Sequence, residues 1–302
     1  MAKPLDLTKL RTVHLVPLTA YGVDGRINAP AQLGHLRDMF QAGFRVFLPA
    51  AGTSEFHSLA ADEIVELVRL CREACGAEAL IFAPIGMQWP LAIDVAKRSL
   101  AAGATGLLFM PFVHPYISDA GARDYIHAVL EAAPAPTLVY KRGAVPSDSL
   151  LLELAAHPQV VGVKHAMNEM HDFRKLVLAD GGRIEWLCGS AERYAPYYML
   201  AGSSGYTTGA GNIAPRVTLA MHAALAAGRF AEGLRLQNLL LPIEDFRARA
   251  GDSYNISMLK QALKVIGKDF GEPRPPQRRL TPGECDEIAA LLKPILAVER
   301  EM

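Results

Sequence analysis

The run Val160-Val161-Gly162-Val163-Lys164, followed by His165, is apolar and mostly β-branched until it ends in a lysine. Such a run is typical of a β-strand that is buried on both faces, as in a parallel sheet. The lysine has two interpretations, because strand ends lie near solvent: its amine reaches water, or it points into a site. The position of this strand among the others decides which one applies.

Short apolar runs of this kind alternate with longer amphipathic patterns through the first two thirds of the chain. Strands that recur about every 25 residues with helices between them predict parallel pairing through right-handed crossovers. This arrangement is either a doubly wound sheet or a closed barrel. The predicted strands are Val13 to Leu18, Arg45 to Ala50, Ala79 to Ile85, Gly106 to Met110, Pro136 to Tyr140, Val160 to Lys164, Ile184 to Cys188 and Gly205 to Thr208.

The number of strands favours the barrel, and the turn after the first strand supports this choice. An open dinucleotide-binding sheet has Gly-x-Gly-x-x-Gly at that turn, whereas residues 19–25 here lack it, and the chain has no P-loop. We therefore predict an α/β fold in which residues 1–225 form a (β/α)8 TIM barrel. Residues 226–302 are predicted to form a C-terminal helical extension packed on the barrel.

The composition favours a small-molecule partner. Lysine plus arginine and aspartate plus glutamate both number 31 among 302 residues, so no net charge attracts nucleic acid or an acidic membrane. The cysteines are few and scattered, without metal-ligand spacing, so no metal or other cofactor is expected. The sequence shows neither a signal peptide nor a run of about 20 apolar residues, so we expect a cytoplasmic protein.

The ends of strands five and six bring two reactive side chains together. Catalytic groups of such barrels stand at the carboxyl ends of strands, and neighbouring strands lie about 5 Å apart. Tyr140 and Lys164 are therefore expected to share one pocket. Burial of a lysine increases its neutral, nucleophilic fraction, and its product with a ketone is an iminium ion that stabilises a carbanion. A phenol beside it can carry protons.

A turn after strand two supplies a second part of this pocket. Ala51-Gly52-Thr53-Ser54-Glu55 precedes a helical pattern, where exposed amides suit an anion and glycine permits close approach. Alone, this sequence is most often a simple turn. On the same rim as Lys164 and Tyr140, it is a candidate seat for the carboxylate of a 2-oxo acid.

Taken together, these residues resemble the dihydrodipicolinate synthase and N-acetylneuraminate lyase superfamily of Schiff-base barrels. The resemblance extends over nearly the whole chain, and the combination of motifs is more specific than any one of them. The motifs are Asp24-Gly25-Arg26-Ile27, Gly52-Thr53-Ser54-Glu55, Tyr140, Gly162-Val163-Lys164, Gly189, Gly205 and Asn212.

The resemblance implies a role for each part of the pocket. Lys164 is implied as the Schiff-base lysine and Tyr140 as the acid and base. The amides of Gly52, Thr53 and Ser54 are implied to hold the substrate carboxylate. The usual assembly of the family is a homotetramer made of two tight dimers.

Two departures argue against dihydrodipicolinate synthesis. The synthase branch has Thr-Thr-Gly-Glu in the turn and a second tyrosine after strand four, where this chain has Gly52 and Val113. The glycine before Thr53, the aromatic after Glu55 and the Tyr-x-Arg sequence resemble the 5-dehydro-4-deoxyglucarate dehydratase branch instead. Ser54 replaces the glycine of that branch, so the chain is interpreted as an outlying member.

Other polar residues at the strand ends have more than one interpretation. Arg142 is either a solvated loop residue or a clamp for the distal carboxylate of a sugar diacid. Ser190 and Thr208 lie where they are expected to reach substrate hydroxyls. His165 should face away from Lys164 by strand alternation. Lys141 is expected at the surface.

Three functions remain open from the sequence. The favoured one is a lyase in which Lys164 condenses with a 2-oxo acid derived from a sugar acid, followed by cleavage to pyruvate or loss of water. Both reactions begin with the same iminium, so the sequence does not choose between them. The second is a metal-dependent aldolase, for which no constellation of ligands is present. The third is a non-catalytic barrel that serves as a 2-oxo acid binding protein or as a regulatory protein.

Overall fold

Eight parallel strands close into a barrel in chain order, so the predicted (β/α)8 fold is confirmed. The computed structural model describes residues 5–302. Every predicted strand is present; the last one has the predicted bounds, and the other seven differ from theirs at one or both ends. The strands are β1 Val13–Leu15, β2 Val46–Phe47, β3 Leu80–Ile85, β4 Gly106–Phe109, β5 Thr137–Lys141, β6 Val160–His165, β7 Glu185–Cys188 and β8 Gly205–Thr208.

The first two strands are shorter than their apolar runs predict. β1 ends at Leu15, two residues before Pro17, and β2 ends at Phe47, two residues before Pro49. Proline has no N–H to donate to a neighbouring strand, so each run leaves the sheet as it approaches its proline.

Eight helices follow the strands and surround the barrel. In helix α2 the apolar positions recur at helical spacing, and Cys71 and Cys75 are buried among them as packing residues. The helices are α1 Ala29–Ala42, α2 Ala61–Cys75, α3 Trp89–Ala101, α4 Asp119–Ala132, α5 Asp148–Leu154, α6 Met170–Asp180, α7 Ala191–Leu200 and α8 Pro215–Ala226.

Four further helices follow α8. Helix α9 packs on α7 and α8, and α11 packs on the turn at Gly52–Ser54. The short α10 is kinked, with Ala250 and Gly251 at positive φ. The domain boundary placed after residue 225 stays a prediction. The helices are α9 Phe230–Arg247, α10 Arg249–Asp252, α11 Asn255–Val265 and α12 Pro282–Glu301.

Glycine in β6 permits close contact between strands. A Cβ atom at Gly162 would lie 2.7 Å from the carbonyl oxygen of Glu185 in β7 and 2.9 Å from the Leu138 side chain. Any other residue would push β6 away from its neighbour and shift the strand that carries Lys164. The glycine thus contributes to the geometry of the barrel mouth.

Acidification is expected to destabilise this fold through buried histidines. Burial lowers the pKa of His14, His35 and His165 to about 4, whereas histidine in the unfolded chain has its ordinary value of 6.5. Between these values the unfolded chain binds more protons than the folded one, so the free energy of unfolding falls as the pH falls. Each such histidine accounts for a loss of about 2 kcal/mol between about pH 7 and pH 5.

The variant His35→Gln tests this expectation. The imidazole Nε2 lies 2.8 Å from Asn212 Oδ1, and the glutamine amide retains a donor for that oxygen without titrating. Urea unfolding of the variant and the wild type at both pH values measures the effect. On acidification, the free energy of unfolding of the variant should fall by about 2 kcal/mol less than that of the wild type. Equal losses would contradict the buried neutral state of His35.

Candidate active site

A cavity of about 540 Å³ opens at the carboxyl ends of the barrel strands. It brings together seven of the eight predicted site residues. Ser54 is the exception, because it is fully buried in the wall. The predicted residues that line the cavity are Gly52, Thr53, Tyr140, Arg142, Lys164, Ser190 and Thr208.

Lys164 and Tyr140 face each other inside the cavity. They are register partners in the β5–β6 pair, so their side chains lie on the same face of the sheet. Lys164 Nζ lies 4.0 Å from the centroid of the Tyr140 ring, and the lysine is 5% exposed. Burial lowers the pKa of Lys164, and the neighbouring Tyr140 acts in the opposite direction. The amine is therefore nucleophilic at a lower pH than lysine in water.

Gly189, just beyond the end of β7, leaves room for the lysine stem. A Cβ atom at this position would lie 3.0 Å from Lys164 Cγ and 3.1 Å from Ala166 Cβ. Lys164 lies in β6, and Ala166 directly follows that strand. A larger residue at position 189 would therefore push against both and displace the amine. This gives a physical reason for the glycine singled out in the sequence.

The turn after β2 presents two amides at the cavity. Residues Gly52–Ser54 form a single 3₁₀ turn in which the Ser54 amide donates to the Ala51 carbonyl at 2.9 Å. Within residues 5–302, the amides of Gly52 and Thr53 have no backbone acceptor. The Ser54 hydroxyl donates to the Pro17 carbonyl. The geometry thus leaves Gly52 and Thr53 for an anion and does not match the predicted contact with Ser54.

Thr208 also differs from its predicted role. Its hydroxyl donates to the Glu192 carboxylate and accepts the Gly211 amide at 2.7 Å, so both functions are already used. The neighbouring Thr207 lines the cavity, and its hydroxyl lies 3.5 Å from the Cys188 carbonyl. Thr207 was not among the predicted site residues, although alternation along β8 places it on the same face as Gly205. Gly205 is in register with Lys164 across β7.

Ser190 belongs to a polar chain that reaches the outside of the barrel. Its hydroxyl donates to Asn168 Oδ1 at 2.6 Å, and the backbone N–H of Asn168 donates to the Tyr198 hydroxyl at 3.1 Å. His165 Nδ1 lies 3.0 Å from that same hydroxyl. His165 therefore faces the outer helices, on the opposite side from Lys164, and Asn168 is a cavity residue that sequence analysis missed.

Arg142 connects β5 to the kinked α10. Its Nη2 lies 2.8 Å from Asp252 Oδ2, and both side chains are about half exposed. It therefore lines the cavity as an accessible cation whose partner faces solvent. Lys141, in contrast, is buried, and its amine donates to the carbonyls of Ala144 and Pro146. The expectation that Lys141 lies at the surface is wrong, because its side chain caps the following loop.

The C-terminal extension supplies a further wall of the cavity. Arg247 pairs with Glu244 one helical turn away and donates to Asn255 Oδ1 at 2.6 Å. Behind them, burial and the neighbouring Glu244 raise the pKa of Glu192 to about 8. Glu244, Arg247 and Asn255 were not predicted as site residues, because only long-range packing brings the extension to the barrel mouth. The i, i+3 spacing of Glu244 and Arg247 was the one available signal.

The loop after β4 is where the synthase branch has its second tyrosine. Val113 stands there, 73% exposed to solvent. Within residues 5–302, no three histidine, cysteine or acidic side chains are grouped so as to hold a metal ion. The helices of the same residues include none with the length and apolar character needed to cross a membrane.

The sequence pattern described as the Dihydrodipicolinate synthetase family matches residues 9–295. The chain belongs to this family. The match spans all eight strands and reaches into α12. It includes both Lys164 and the extension that lines the cavity. The resemblance inferred from the motifs is therefore confirmed.

Relatives within the family include probable 5-dehydro-4-deoxyglucarate dehydratases. The protein of this name from Pseudomonas savastanoi pv. phaseolicola is 30% identical over 96% of this chain and 97% of its own length. The one from Chelativorans sp. is also 30% identical, over 96% and 98%. These relatives agree with the branch that the Gly-Thr and Tyr-x-Arg sequences resemble.

Solved structures of the family superpose closely. A dihydrodipicolinate synthase from Oceanobacillus iheyensis has a TM-score of 0.92 and 28% identity, over 97% of this chain and 100% of that one. The synthase from Bacillus clausii has a TM-score of 0.92 and 30% identity, over 95% and 98%. Membership of this family, with dehydratases among the relatives, makes the protein a Schiff-base-forming lyase that acts on a 2-oxo acid.

Proposed function

We propose that this lyase removes water from a hydroxylated 2-oxo diacid derived from a sugar, with Lys164 as its Schiff-base residue. The observation that carries the proposal is the buried Lys164 amine 4.0 Å from the Tyr140 ring in a cavity of about 540 Å³. That volume is much larger than pyruvate requires. The names of the relatives support a six-carbon diacid with a ketone beside one carboxylate and hydroxyls farther along.

Each part of the proposed reaction is assigned to a residue. The amides of Gly52 and Thr53 bind the carboxylate beside the ketone. The Lys164 amine adds to the ketone carbon, and loss of water gives the iminium. Tyr140 removes a proton from the adjacent carbon, and the C–H electron pair forms the enamine double bond. The enamine then expels hydroxide from the next carbon, and the hydroxide leaves as water with the proton that Tyr140 had removed. Water hydrolyses the resulting conjugated iminium, which releases the unsaturated 2-oxo acid and frees the Lys164 amine.

Retro-aldol cleavage is the main alternative outcome at the same lysine. It would break the carbon–carbon bond between the carbon beside the iminium and its hydroxylated neighbour, and release pyruvate. The test is to supply 5-dehydro-4-deoxyglucarate and analyse products by mass spectrometry, with released pyruvate measured by lactate dehydrogenase. A dehydrated product without pyruvate supports the proposal. Pyruvate in amounts equal to the substrate consumed contradicts it.

Arg142 is proposed to bind the distal carboxylate of the diacid. Charge-assisted bonds of a guanidinium to a carboxylate are strong, and its present partner Asp252 is exposed and displaceable. We expect Arg142→Leu to raise the half-saturating concentration of the diacid about tenfold or more, with little change for pyruvate. Steady-state assays and borohydride trapping measure the two values. Arg123→Leu, at an exposed ion pair with Glu153, is the control. Equal shifts for both acids would argue against this role.

We propose a cytoplasmic homotetramer. The family resemblance supports two kinds of interface, and two exposed apolar patches suit them. One contains Val113 and Tyr116 in the loop after β4, and the other contains Tyr197 and Leu200 on α7. The four cysteines are free thiols, as expected in a reducing compartment. Sedimentation analysis distinguishes a tetramer from a dimer or a monomer.

A further inference from the structure

The extension holds a buried lysine that the proposed reaction does not use. Lys260 lies on α11, and its side chain is 2% exposed. Its amine lies 2.8 Å from Glu55 Oε1 and 4.0 Å from the centroid of the Tyr21 ring. The Glu272 carbonyl lies 3.3 Å away. Burial lowers the pKa of Lys260, and Glu55 acts in the opposite direction.

Glu55 directly follows the turn that presents the two amides. Its own amide donates to the Gly52 carbonyl at 3.0 Å, and its φ of 72° lies in the left-handed region. Non-glycine residues occupy that region at a cost, so contacts of the side chain must hold it there. Its side chain is fully buried. The position of the carboxylate therefore fixes the backbone of the turn.

A second contact from the extension reaches the same carboxylate. The Arg274 amide donates to Glu55 Oε2 at 2.7 Å. The Arg274 guanidinium pairs with Glu63 at 2.6 Å, near the start of α2, and lies 4.4 Å from the centroid of the Tyr21 ring. The Lys260 amine and the Arg274 amide thus each contact one oxygen of Glu55, and both cations lie close to the Tyr21 ring.

We propose that Lys260 is a positioning residue that acts through Glu55 to hold Gly52 and Thr53 in the conformation that binds the substrate carboxylate. This inference rests on the proposed function, in which those two amides bind that group. Removal of Lys260 leaves a buried carboxylate without its cation, which is costly. Moving Glu55 toward solvent relieves that cost, and such a movement reorients the amide of Thr53 two residues away.

The test compares Lys260→Met with Lys264→Met on the same helix. Lys264 is 58% exposed and pairs loosely with Asp269, so its removal leaves the turn unchanged. Borohydride trapping with pyruvate over a range of concentrations gives the half-saturating concentration and the plateau of the adduct. We expect Lys260→Met to raise the half-saturating concentration about tenfold with the plateau unchanged, and Lys264→Met to match the wild type.

A rescue variant separates the role of Lys260 from general stability. In Lys260→Met with Glu55→Gln, the unpaired charge is gone and the glutamine oxygen still accepts the Arg274 amide. We expect pyruvate affinity to return to within about threefold of the wild type. If Lys260→Met alone folds poorly, the half-saturating concentration of pyruvate is compared between the double variant and Glu55→Gln. In Glu55→Gln, Lys260 has lost its anionic partner.

Hydrogen exchange of the turn distinguishes failure of this inference from failure of the proposed function. Exchange at residues 51–56 should be faster in Lys260→Met than in Lys264→Met. A wild type that forms no pyruvate adduct would refute the proposed function and the inference together. A wild type that forms the adduct, with unchanged half-saturation and exchange in Lys260→Met, would overturn the inference alone.

Discussion

Lys164→Ala is expected to form no covalent adduct with pyruvate or with any 2-oxo sugar acid in the presence of borohydride. The wild type should gain the mass of one reduced adduct per chain. Turnover should fall by at least about 10³-fold, because no other amine within residues 5–302 lines the cavity to form the iminium. Intact-protein mass spectrometry measures the adduct, and a coupled assay measures the turnover.

Lys141→Ala is the matched control for this loss. Lys141 is also buried and lies at the end of the neighbouring β5, but it pairs in register with His165, on the opposite face from Lys164. The Lys141→Ala variant should therefore still form the adduct, provided that it folds. An adduct that survives in Lys164→Ala would place the Schiff base elsewhere. A wild type without an adduct from any acid would favour the non-catalytic binding protein.

Tyr140→Phe is expected to separate binding from turnover. The phenyl ring keeps its packing near the Lys164 amine, while the hydroxyl that carries protons is lost. We expect the pyruvate adduct to form still, though more slowly, and kcat to fall by about 10²- to 10³-fold. Single-turnover trapping measures adduct formation, and steady-state assays measure kcat.

Tyr194→Phe provides the comparison for the phenol. Tyr194 also lines the cavity, but it lies on helix α7 and not on a strand next to the one that carries Lys164. Its variant should retain most of the wild-type kcat. Near-normal turnover in Tyr140→Phe would assign the proton transfers to another group, such as Thr207 or water held in the cavity.

The barrel and its lysine were predictable because their signals are local. Short apolar runs between amphipathic helical patterns predict the strands. The order of these strands places Tyr140 and Lys164 on neighbouring strands at one rim. Even the departures have local causes, since Pro17 and Pro49 explain the early ends of β1 and β2. The sequence alone thus sufficed for the fold and for the pair at its mouth.

The directions of the other side chains were not predictable in the same way. Thr208 and Ser54 stand at strand or turn ends, where their hydroxyls turn to Glu192 and to the Pro17 carbonyl. Each choice depends on an acceptor distant in the sequence. Arg247 and Asn255 reach the cavity only through the packing of α9 and α11. Contacts of this kind carry no periodic signal in the sequence.

The contacts of Glu55 also bear on when the enzyme becomes competent during synthesis. Its partner amide belongs to Arg274, 219 residues farther along the chain. A nascent chain that has released all eight strands from the ribosome still lacks Lys260 and Arg274, so the carboxylate turn has no fixed partner. On the proposed roles, competence is therefore acquired only after Arg274 has been synthesised, and a polypeptide that stops after the barrel carries the Schiff-base lysine without an ordered site for the substrate carboxylate.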